Sequence, residues 1–394
     1  MILYLDNAAT SFPKPEEVYQ AADRTLRRYG VNPGRGSYGL VLEAGRLVYR
    51  TREAVAELFN IADELRVVFT SNATEAINLA LFGLLQPGDR VVTSSMEHNA
   101  VSRPLHALRA RGIQVTEVPA DRFGRLQPDD VKAAAMAGGQ AARMVVLCHC
   151  SNVTGTVQPI EEIGPWCRRH GILFMVDAAQ SAGLLPIDVQ SMAIDVLAAP
   201  GHKCLLGPPG TGFLYLREDL QPTPLIFGGT GGDSMSEEMP EALPERLESG
   251  TLNAPALAGL LAGIEYVQRI GIRQVREHKT RLLEALLYGL RQLPGIRIYG
   301  PGTATEHGGV VSFTMAGRDP AETGFLLDEQ YGICVRTGLH CAPAAHGTIG
   351  TLPSGTIRVS PGLFNTREDV DRLLSALTDM LGPNFSISQQ GDVQ

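Results

Sequence analysis

Lys203 stands in a sequence context that can make a lysine amine reactive. It follows the apolar run at residues 196–199 and lies between a Pro-Gly pair at 200–201 and the Gly/Pro-rich stretch 207–210. Burial at the end of such a strand lowers the pKa of a lysine and leaves a neutral amine that can attack a carbonyl carbon. A surface lysine in a turn explains the same residues, so both interpretations stay open at this point.

Asp177 ends a second apolar run, residues 172–176. Open α/β sheets bind ligands at the carboxyl ends of their strands, and an aspartate there can keep a pyridine nitrogen protonated. The alternative is a helix N-cap. Lys203 follows 26 residues later, a distance that fits one crossover and a strand, so both side chains can reach one face of the protein.

Residues 71–75 (SNATE) follow a strand-like run that ends at Thr70. Small hydroxyl residues that open a helix present free backbone N–H groups and the positive end of the helix dipole, which suit a phosphate group. A simple N-cap is an equally good interpretation of this segment.

Short apolar runs alternate with amphipathic segments over the first 220 residues, which predicts βαβ crossovers and a mainly parallel sheet covered on both faces. The strand-like runs include 144–148, 172–176, 196–199 and 212–216. Residues 228–250 are rich in glycine and acidic residues, which indicates a functional or interface loop. Beyond it, a smaller α+β domain is predicted by strand-like runs at 295–299, 310–313, 333–336 and 356–359. Thr366 and Asp369 resemble a capping box at the start of an apolar helical stripe. We expect a large domain at 15–255, a small domain at 256–383 that includes 1–14, and a disordered tail at 384–394.

Composition limits the possible classes of protein. The 394 residues include 34 Lys and Arg and 42 Asp and Glu, a net charge of −8 spread along the chain, which argues against a nucleic-acid or anionic-membrane surface. Six cysteines without a CxxC pair are too sparse for a disulfide framework. Residues 1–10 lack the features of a signal peptide, and no apolar run is long enough to span a membrane, so we expect a cytoplasmic protein.

Taken in order along the chain, these motifs resemble those of the class V aminotransferase family of pyridoxal 5′-phosphate (PLP) enzymes. The resemblance covers nearly the whole chain and includes residues 4–10 (YLDNAAT), 336–343 (RTGLHCAP) and 357–360 (IRVS). The last two motifs are similar to those of the cysteine desulfurase and selenocysteine lyase branch. The resemblance implies a PLP-dependent transferase fold (aspartate aminotransferase-like, fold type I) with a mainly parallel seven-stranded sheet in the large domain.

The resemblance also implies a role for each matching residue. Lys203 is implied to bind the PLP aldehyde covalently, Asp177 to pair with the pyridine nitrogen, and His98 to stack on the ring. Thr251 is implied to reach the phosphate of a neighbouring subunit, which makes the protein a homodimer. The residues implied to contact the cofactor are Ala73, Thr74, His98, Asn152, Asp177, Gln180, His202, Lys203 and Thr251. Those implied to bind substrate are Asn7, Asn152, Arg336 and Arg358, and those implied to act in catalysis are Lys203, Cys341 and His98.

Cys341 decides the subclass within this family. A desulfurase needs an exposed thiol near the cofactor on a loop flexible enough to move, and Gly338 with residues 342–347 suits such a loop. A cation such as Arg336 or a protonated His340 can favour the thiolate. A small buried core cysteine is the alternative. Arg358 offers a planar fork to a substrate carboxylate, or else forms a structural ion pair.

Two residues depart from the family pattern. Pro200 stands where related desulfurases usually have a hydroxyl residue, which puts one phosphate contact in doubt. Leu339 stands where close relatives often have a second histidine, which can alter loop packing or partner preference. Separately, residues 148–150 (CHC) suggest a metal site, but strand alternation divides them between two faces and further ligands are lacking, so we predict no metal.

The expected activity is conversion of L-cysteine to L-alanine, with a persulfide on Cys341 for transfer to a sulfur-acceptor protein. Selenocysteine lyase activity, another class V reaction such as transamination or epimerisation, and a sulfur carrier without turnover are the alternatives. Iron–sulfur cluster assembly, tRNA thiolation and selenium metabolism all stay open as the pathway.

Overall fold

The computed structural model describes residues 2–34, 36–231 and 235–382. The predicted disordered tail at 384–394 lies outside them. The helices are α1 (Glu16–Tyr29), α2 (Gly39–Phe59), α3 (Ala73–Leu84), α4 (Asn99–Arg109), α5 (Pro128–Met136), α6 (Ile160–Arg169), α7 (Ala254–Ile270), α8 (Ile272–Gln292), α9 (Pro320–Tyr331), α10 (Pro343–Thr348) and α11 (Arg367–Leu381). The strands are β1 (Leu3–Tyr4), β2 (Val67–Thr70), β3 (Arg90–Ser94), β4 (Gln114–Val118), β5 (Met144–Cys148), β6 (Leu173–Asp177), β7 (Val196–Pro200), β8 (Gly212–Leu216), β9 (Ile296–Tyr299), β10 (Val311–Met315), β11 (Ile333–Cys334), β12 (Arg336–Gly338) and β13 (Thr356–Val359).

A seven-stranded sheet organises the first part of the chain, with the order β2-β8-β7-β6-β5-β3-β4. Every neighbouring pair is parallel except those that include β8, which runs antiparallel to β2 and β7. Every residue of β5, β6, β7 and β8 is buried. The continuous apolar runs follow from this burial, because helices cover both faces of the sheet. The predicted mainly parallel seven-stranded sheet is confirmed.

A second, four-stranded sheet has the order β12-β13-β10-β9 and is antiparallel throughout. Its apolar side chains share a core with α8, α11 and the N-terminal residues Leu3 and Leu5. The sequence predicted one strand at 333–336, but the structure divides it between β11, which pairs with β1, and β12. The Thr366–Asp369 capping box begins α11 as predicted.

The hydrophobic core of the large sheet gives way to the core of the small sheet between α7 and α8. The buried residues Leu257, Leu260 and Ile264 of α7 belong to the core of the large sheet. The apolar face of α8 belongs instead to the small-sheet core, beginning at Leu282. The division of the chain into domains stays a prediction, and this packing favours a boundary near Gly271 rather than near residue 255.

Among the helices of the described residues, none combines the length and apolar character that crossing a membrane requires.

Candidate active site

A cavity of about 230 Å³ lies at the carboxyl ends of β5, β6 and β7, and residues of the N-terminal segment and of the segment 336–358 complete its lining. Most of the residues predicted to form a site line this cavity. They are Ala73, Thr74, His98, Asn152, Asp177, Gln180, His202, Lys203, Arg336, Cys341 and Arg358. The fold therefore brings together residues that lie as far apart in the sequence as 73 and 358.

Lys203 follows β7 in a tight loop. The Gly201 N–H donates to Thr211 O and the Gly207 N–H donates to Gly201 O, both at 2.8 Å. A Cβ atom at position 201 would lie 2.2 Å from the Thr211 Oγ1, so the loop needs glycine there. Burial lowers the pKa of Lys203 to about 8, and the charges of Arg358 and Arg336 add to the decrease. A useful fraction of the amine is therefore neutral near pH 7.

Asp177 is the last residue of β6, and its side chain is buried at the cavity wall. Burial raises the pKa of Asp177, whereas the Ala179 N–H, which donates to its Oδ1 at 2.8 Å, and the Lys203 charge act in the opposite direction. A carboxylate in this position gains from any further positive charge placed beside it in the cavity.

His98 caps α4, because its Nδ1 accepts a hydrogen bond from the Ala100 N–H at 3.0 Å. This contact assigns the ring proton to Nε2. Burial, followed by the Lys203 and Arg336 charges, lowers the pKa of His98 to about 4, so the imidazole is neutral at pH 7. A neutral ring with an occupied Nδ1 suits the predicted stacking role better than removal of a proton.

The N-terminus of α3 forms one end of the cavity. The Asn72 side chain accepts the Glu75 N–H, and within the described residues the Ala73 and Thr74 N–H groups have no partner. The His202 Nδ1 is buried and also lacks a partner in this part of the structure. Pro200 lines the cavity and offers no donor. This end of the cavity therefore has unpaired donors that can bind an anion, although Pro200 supplies no hydroxyl group.

Cys341 faces the cavity from a turn of the small domain, and its side chain is exposed. The Arg336 guanidinium donates to the Cys341 Sγ at 3.6 Å. Both His340 (φ 47°) and Cys341 (φ 57°) adopt the left-handed conformation, which non-glycine residues rarely adopt. The Cys341 carbonyl accepts the Asn99 N–H at 2.7 Å, and Asn152 Nδ2 donates to His340 O at 2.7 Å. The sequence predicted a loop free to move; in the structure, hydrogen bonds from Asn99 and Asn152 connect the turn to segments that follow β3 and β5 of the large sheet.

Arg358 is buried and joins three segments of the chain. Its Nη1 donates to Asn152 O at 3.0 Å, and its Nη2 forms an ion pair with Asp6 at 2.8 Å. The Arg358 Nε is buried and has no hydrogen-bond partner among the described residues. The ion pair with Asp6 is therefore present, whereas binding of a substrate carboxylate by Arg358 stays a prediction.

Two predicted residues do not line the cavity. The Asn7 amide donates to Ser360 O and to Asn365 Oδ1, and its oxygen accepts the Phe12 N–H, so its position does not support a role in binding substrate. The Thr251 hydroxyl accepts a hydrogen bond from Asn32 Nδ2 at 3.2 Å outside this cavity.

Sequence reasoning did not assign a site role to Asp6 or to Ala8. Asp6 acts through Arg358, and Ala8 lines the cavity while its carbonyl accepts the Gln180 Nε2. Both residues lie in the motif at residues 4–10, and that motif is the sequence feature that could have identified them as part of the site. Cys148 and Cys150 are buried at the cavity wall, and the described residues hold no group of three or more His, Cys, Asp or Glu side chains suited to a metal ion.

The model of the class V aminotransferase family matches residues 3–373 of the chain. A probable cysteine desulfurase from Methanothermobacter thermautotrophicus is 39% identical over 386 residues, which cover 96% of this chain and 95% of that protein. A cysteine desulfurase from Serratia proteamaculans is 34% identical, with 95% of this chain and 92% of that protein covered.

Solved structures show the same relationship. The apo structure of a cysteine desulfurase from Thermococcus onnurineus superposes with a TM-score of 0.90 at 33% sequence identity, over 96% of this chain and 94% of that chain. The sheet order, the cavity at its carboxyl edge and these similarities all lead to the same family.

Proposed function

The chain belongs to the class V aminotransferase family, and from this premise we propose that it is a PLP-dependent cysteine desulfurase, which converts L-cysteine to L-alanine. One observation carries the proposal: a single cavity is lined by the Lys203 amine, the Asp177 carboxylate and the exposed Cys341 thiol. The first two residues suit any PLP enzyme of the family, whereas the thiol supplies the sulfur acceptor that a desulfurase requires.

The unpaired groups of the cavity fit PLP. The Ala73 and Thr74 N–H groups and the buried His202 Nδ1 can hold its phosphate, and Asp177 can pair with its ring nitrogen. Asn152, Gln180 and His98 complete the proposed contacts with the ring. When bound, PLP supplies an aldehyde that combines with amines and an electron-poor ring that stabilises a carbanion.

Lys203 has two proposed tasks: it holds the cofactor, and it removes the α-proton of the substrate once it is free. A pKa of about 8 suits both, because a neutral amine is needed as nucleophile and as base. His98 is predicted to act in catalysis as well, but its neutral ring with the proton on Nε2 supports chiefly a stacking position.

Cys341 is the proposed nucleophile toward the substrate sulfur. Its thiolate attacks the Sγ atom of cysteine, a sulfur–sulfur bond forms, and the Cβ–Sγ bond breaks. The electron pair of that bond stays with the carbon fragment, which takes up a proton and leaves as alanine. The persulfide then stays on Cys341, beside the Arg336 guanidinium that is already 3.6 Å from the sulfur.

Two arginines are proposed to bind the substrate carboxylate. The Arg358 Nε has no partner in the described structure, and the rest of its guanidinium is fixed by Asp6 and Asn152. Arg336 lies on the same cavity wall. A fixed donor costs little side-chain entropy on binding, so Arg358 is suited to set the orientation of the amino acid.

We also propose a homodimer. Thr251 lies outside its own cavity, which supports its predicted contact with the phosphate of the neighbouring subunit. Apolar side chains are exposed on the loop before it, with Phe227 70% and Ile226 53% accessible. Exposed apolar groups of this kind suit an interface between subunits. Sedimentation of the wild type as a monomer would contradict this assignment.

The activity is tested by adding L-cysteine to the purified protein with PLP and measuring alanine and sulfide in the presence of a thiol reductant. We expect both products in equal amounts. Keto acid without sulfide would indicate a different class V reaction, and a far higher rate with selenocysteine that survives Cys341→Ala would indicate a selenocysteine lyase. The sulfur-acceptor protein, iron–sulfur assembly and the cytoplasmic location stay predictions from the sequence.

A further inference from the structure

Glu97 is a buried carboxyl group that the proposed mechanism does not use. It is 2% exposed and lies in the turn between β3 and α4, next to His98. Within the described residues it forms no ion pair with a lysine or arginine. By contrast, the buried Asp195 of the same domain forms ion pairs with Arg168 and Arg217. An ion pair with a basic side chain therefore does not account for the burial of Glu97.

The hydrogen bonds of Glu97 connect the ends of two strands. The Cys148 N–H at the end of β5 donates to both carboxyl oxygens, at 3.1 and 3.0 Å. Ser94, the last residue of β3, lies 2.5 Å from Oε1, and the Ser94 Oγ in turn accepts the Met96 N–H at 3.1 Å. These bonds close the turn at residues 94–97 and fix it against β5.

The residues that follow Glu97 make contacts on both sides of the cavity. His98 lines the cavity and begins α4, and the Asn99 N–H donates to the Cys341 carbonyl at 2.7 Å. A displacement of the turn would therefore move the His98 ring and release the hydrogen bond between Asn99 and the Cys341 turn.

We propose that Glu97 is a positioning residue, which fixes the turn at residues 94–99 so that His98 lies against the cofactor and Asn99 holds the Cys341 turn. The inference rests on the proposed function for the identity of the cofactor. The hydrogen bonds themselves do not need a charged carboxylate, and burial raises the pKa of Glu97 to about 8, so the group is mainly neutral at pH 7.

Three variants test this role. Glu97→Gln keeps an oxygen that can accept both the Ser94 O–H and the Cys148 N–H, as Oε1 does in the wild type, and we expect its PLP affinity and cofactor absorption band to match the wild type within about twofold. Glu97→Ala leaves both partners unsatisfied, and we expect PLP to bind about tenfold more weakly, with a shifted absorption band. The matched control is Asp195→Asn, because Asp195 also accepts a strand N–H, that of Phe174 on β6, at 2.8 Å.

A measurement without PLP separates this inference from the proposed function. We expect amide hydrogen exchange in residues 339–343 of the apo protein to accelerate severalfold in Glu97→Ala but not in Glu97→Gln or Asp195→Asn. If Glu97→Ala does not fold, Ser94→Ala, which removes one bond of the turn, should show the same changes at smaller size. Glu97→Ala that lowers only the melting temperature, or Glu97→Gln as damaging as Glu97→Ala, would overturn the proposal. Absence of alanine production by the wild type would refute the desulfurase activity and leave the exchange result intact.

Discussion

The cavity has two walls that differ in structure. We call the side with Asp177 and Lys203 the cofactor wall and the side with Cys341 the thiol wall. On the cofactor wall, Asp177 ends a buried parallel strand and Lys203 follows another, so strand register fixes both side chains. On the thiol wall, Cys341 lies in a turn with left-handed backbone geometry, and hydrogen bonds from Asn99 and Asn152 hold that turn. The sheet provides a rigid place for the cofactor, whereas a few separable contacts hold the thiol in place.

This difference has a functional meaning. In the proposed reaction the cofactor stays in position, whereas the persulfide passes to an acceptor, so the residue that carries the persulfide needs access to solvent. Cys341 is exposed, whereas Asp177 is buried. A turn held by individual hydrogen bonds can open at a cost of about 0.5–1.5 kcal/mol for each bond, far less than a strand in the middle of a sheet.

The largest effect should come from the cofactor wall. Lys203→Ala removes the only lysine amine among the described residues that line the cavity, and with it both the proposed cofactor link and the proposed base, so alanine formation should fall by about 10⁴-fold. Reduction of the PLP-loaded protein with borohydride followed by peptide mapping checks the link directly. Lys132→Ala, a surface variant, is the control. Retained covalent PLP in Lys203→Ala would contradict the assignment.

Cys341→Ser should separate the two walls. The cofactor absorption band should be unchanged, because the thiol is not part of the cofactor wall, whereas alanine formation should fall by roughly 10²–10³-fold for loss of the nucleophile. Cys334→Ser is a control seven residues away in the chain, since that half-buried thiol contacts Asp328. Equal losses in both variants would mean that Cys341 has no special role.

The Lys203 amine should make the stability of the apo protein depend on pH. Its pKa is about 8 when folded against 10.5 in its ordinary state, because burial penalises the charged form. The penalty is fully present below pH 8 and disappears as the pH rises to 10.5. Lys203→Met should therefore be more stable than the wild type at pH 7, by roughly 1–3 kcal/mol, and equally stable near pH 10.5. Denaturant unfolding at both pH values checks this, and a pH-independent difference would argue against burial of the charge.

The smallest effect should come from the contacts of the thiol turn. Asn152→Ala removes the bond to His340 O and should raise the rate of Cys341 alkylation in the apo protein about threefold, as expected for one hydrogen bond. The rate at Cys334 in the same sample is the internal control. An unchanged Cys341 rate would show that the turn is fixed by its own backbone geometry.

The two walls also differ in how far the sequence predicted them. Apolar runs of strand length predicted β5, β6, β7 and β8 closely, because strands that are buried on both faces are apolar throughout. Asp177 and Lys203 became candidate site residues because each follows one of these runs. The thiol wall was identified only through its resemblance to a family.

The left-handed backbone at His340 and Cys341, the ion pair of Arg358 with Asp6 and the anchoring by Asn99 join segments that are distant in the chain. No local pattern predicts such contacts, because they depend on how the segments around the two sheets pack against each other. The hydrogen bonds of Asn7 are likewise not visible in the local sequence. Asn7 was predicted to bind substrate, but in the structure its amide donates to Ser360 O and accepts the Phe12 N–H.

Transfer of substrate sulfur to Cys341 is the central claim, and mapping of the protein after a single turnover tests it most directly. The PLP-loaded protein is mixed with L-cysteine in the absence of other thiols, then digested and analysed by mass spectrometry. We predict that the peptide containing Cys341 gains the mass of one sulfur atom and that alanine appears in equal amount. Alanine formed while Cys341 stays unmodified, or sulfur found on another cysteine instead, would contradict the account.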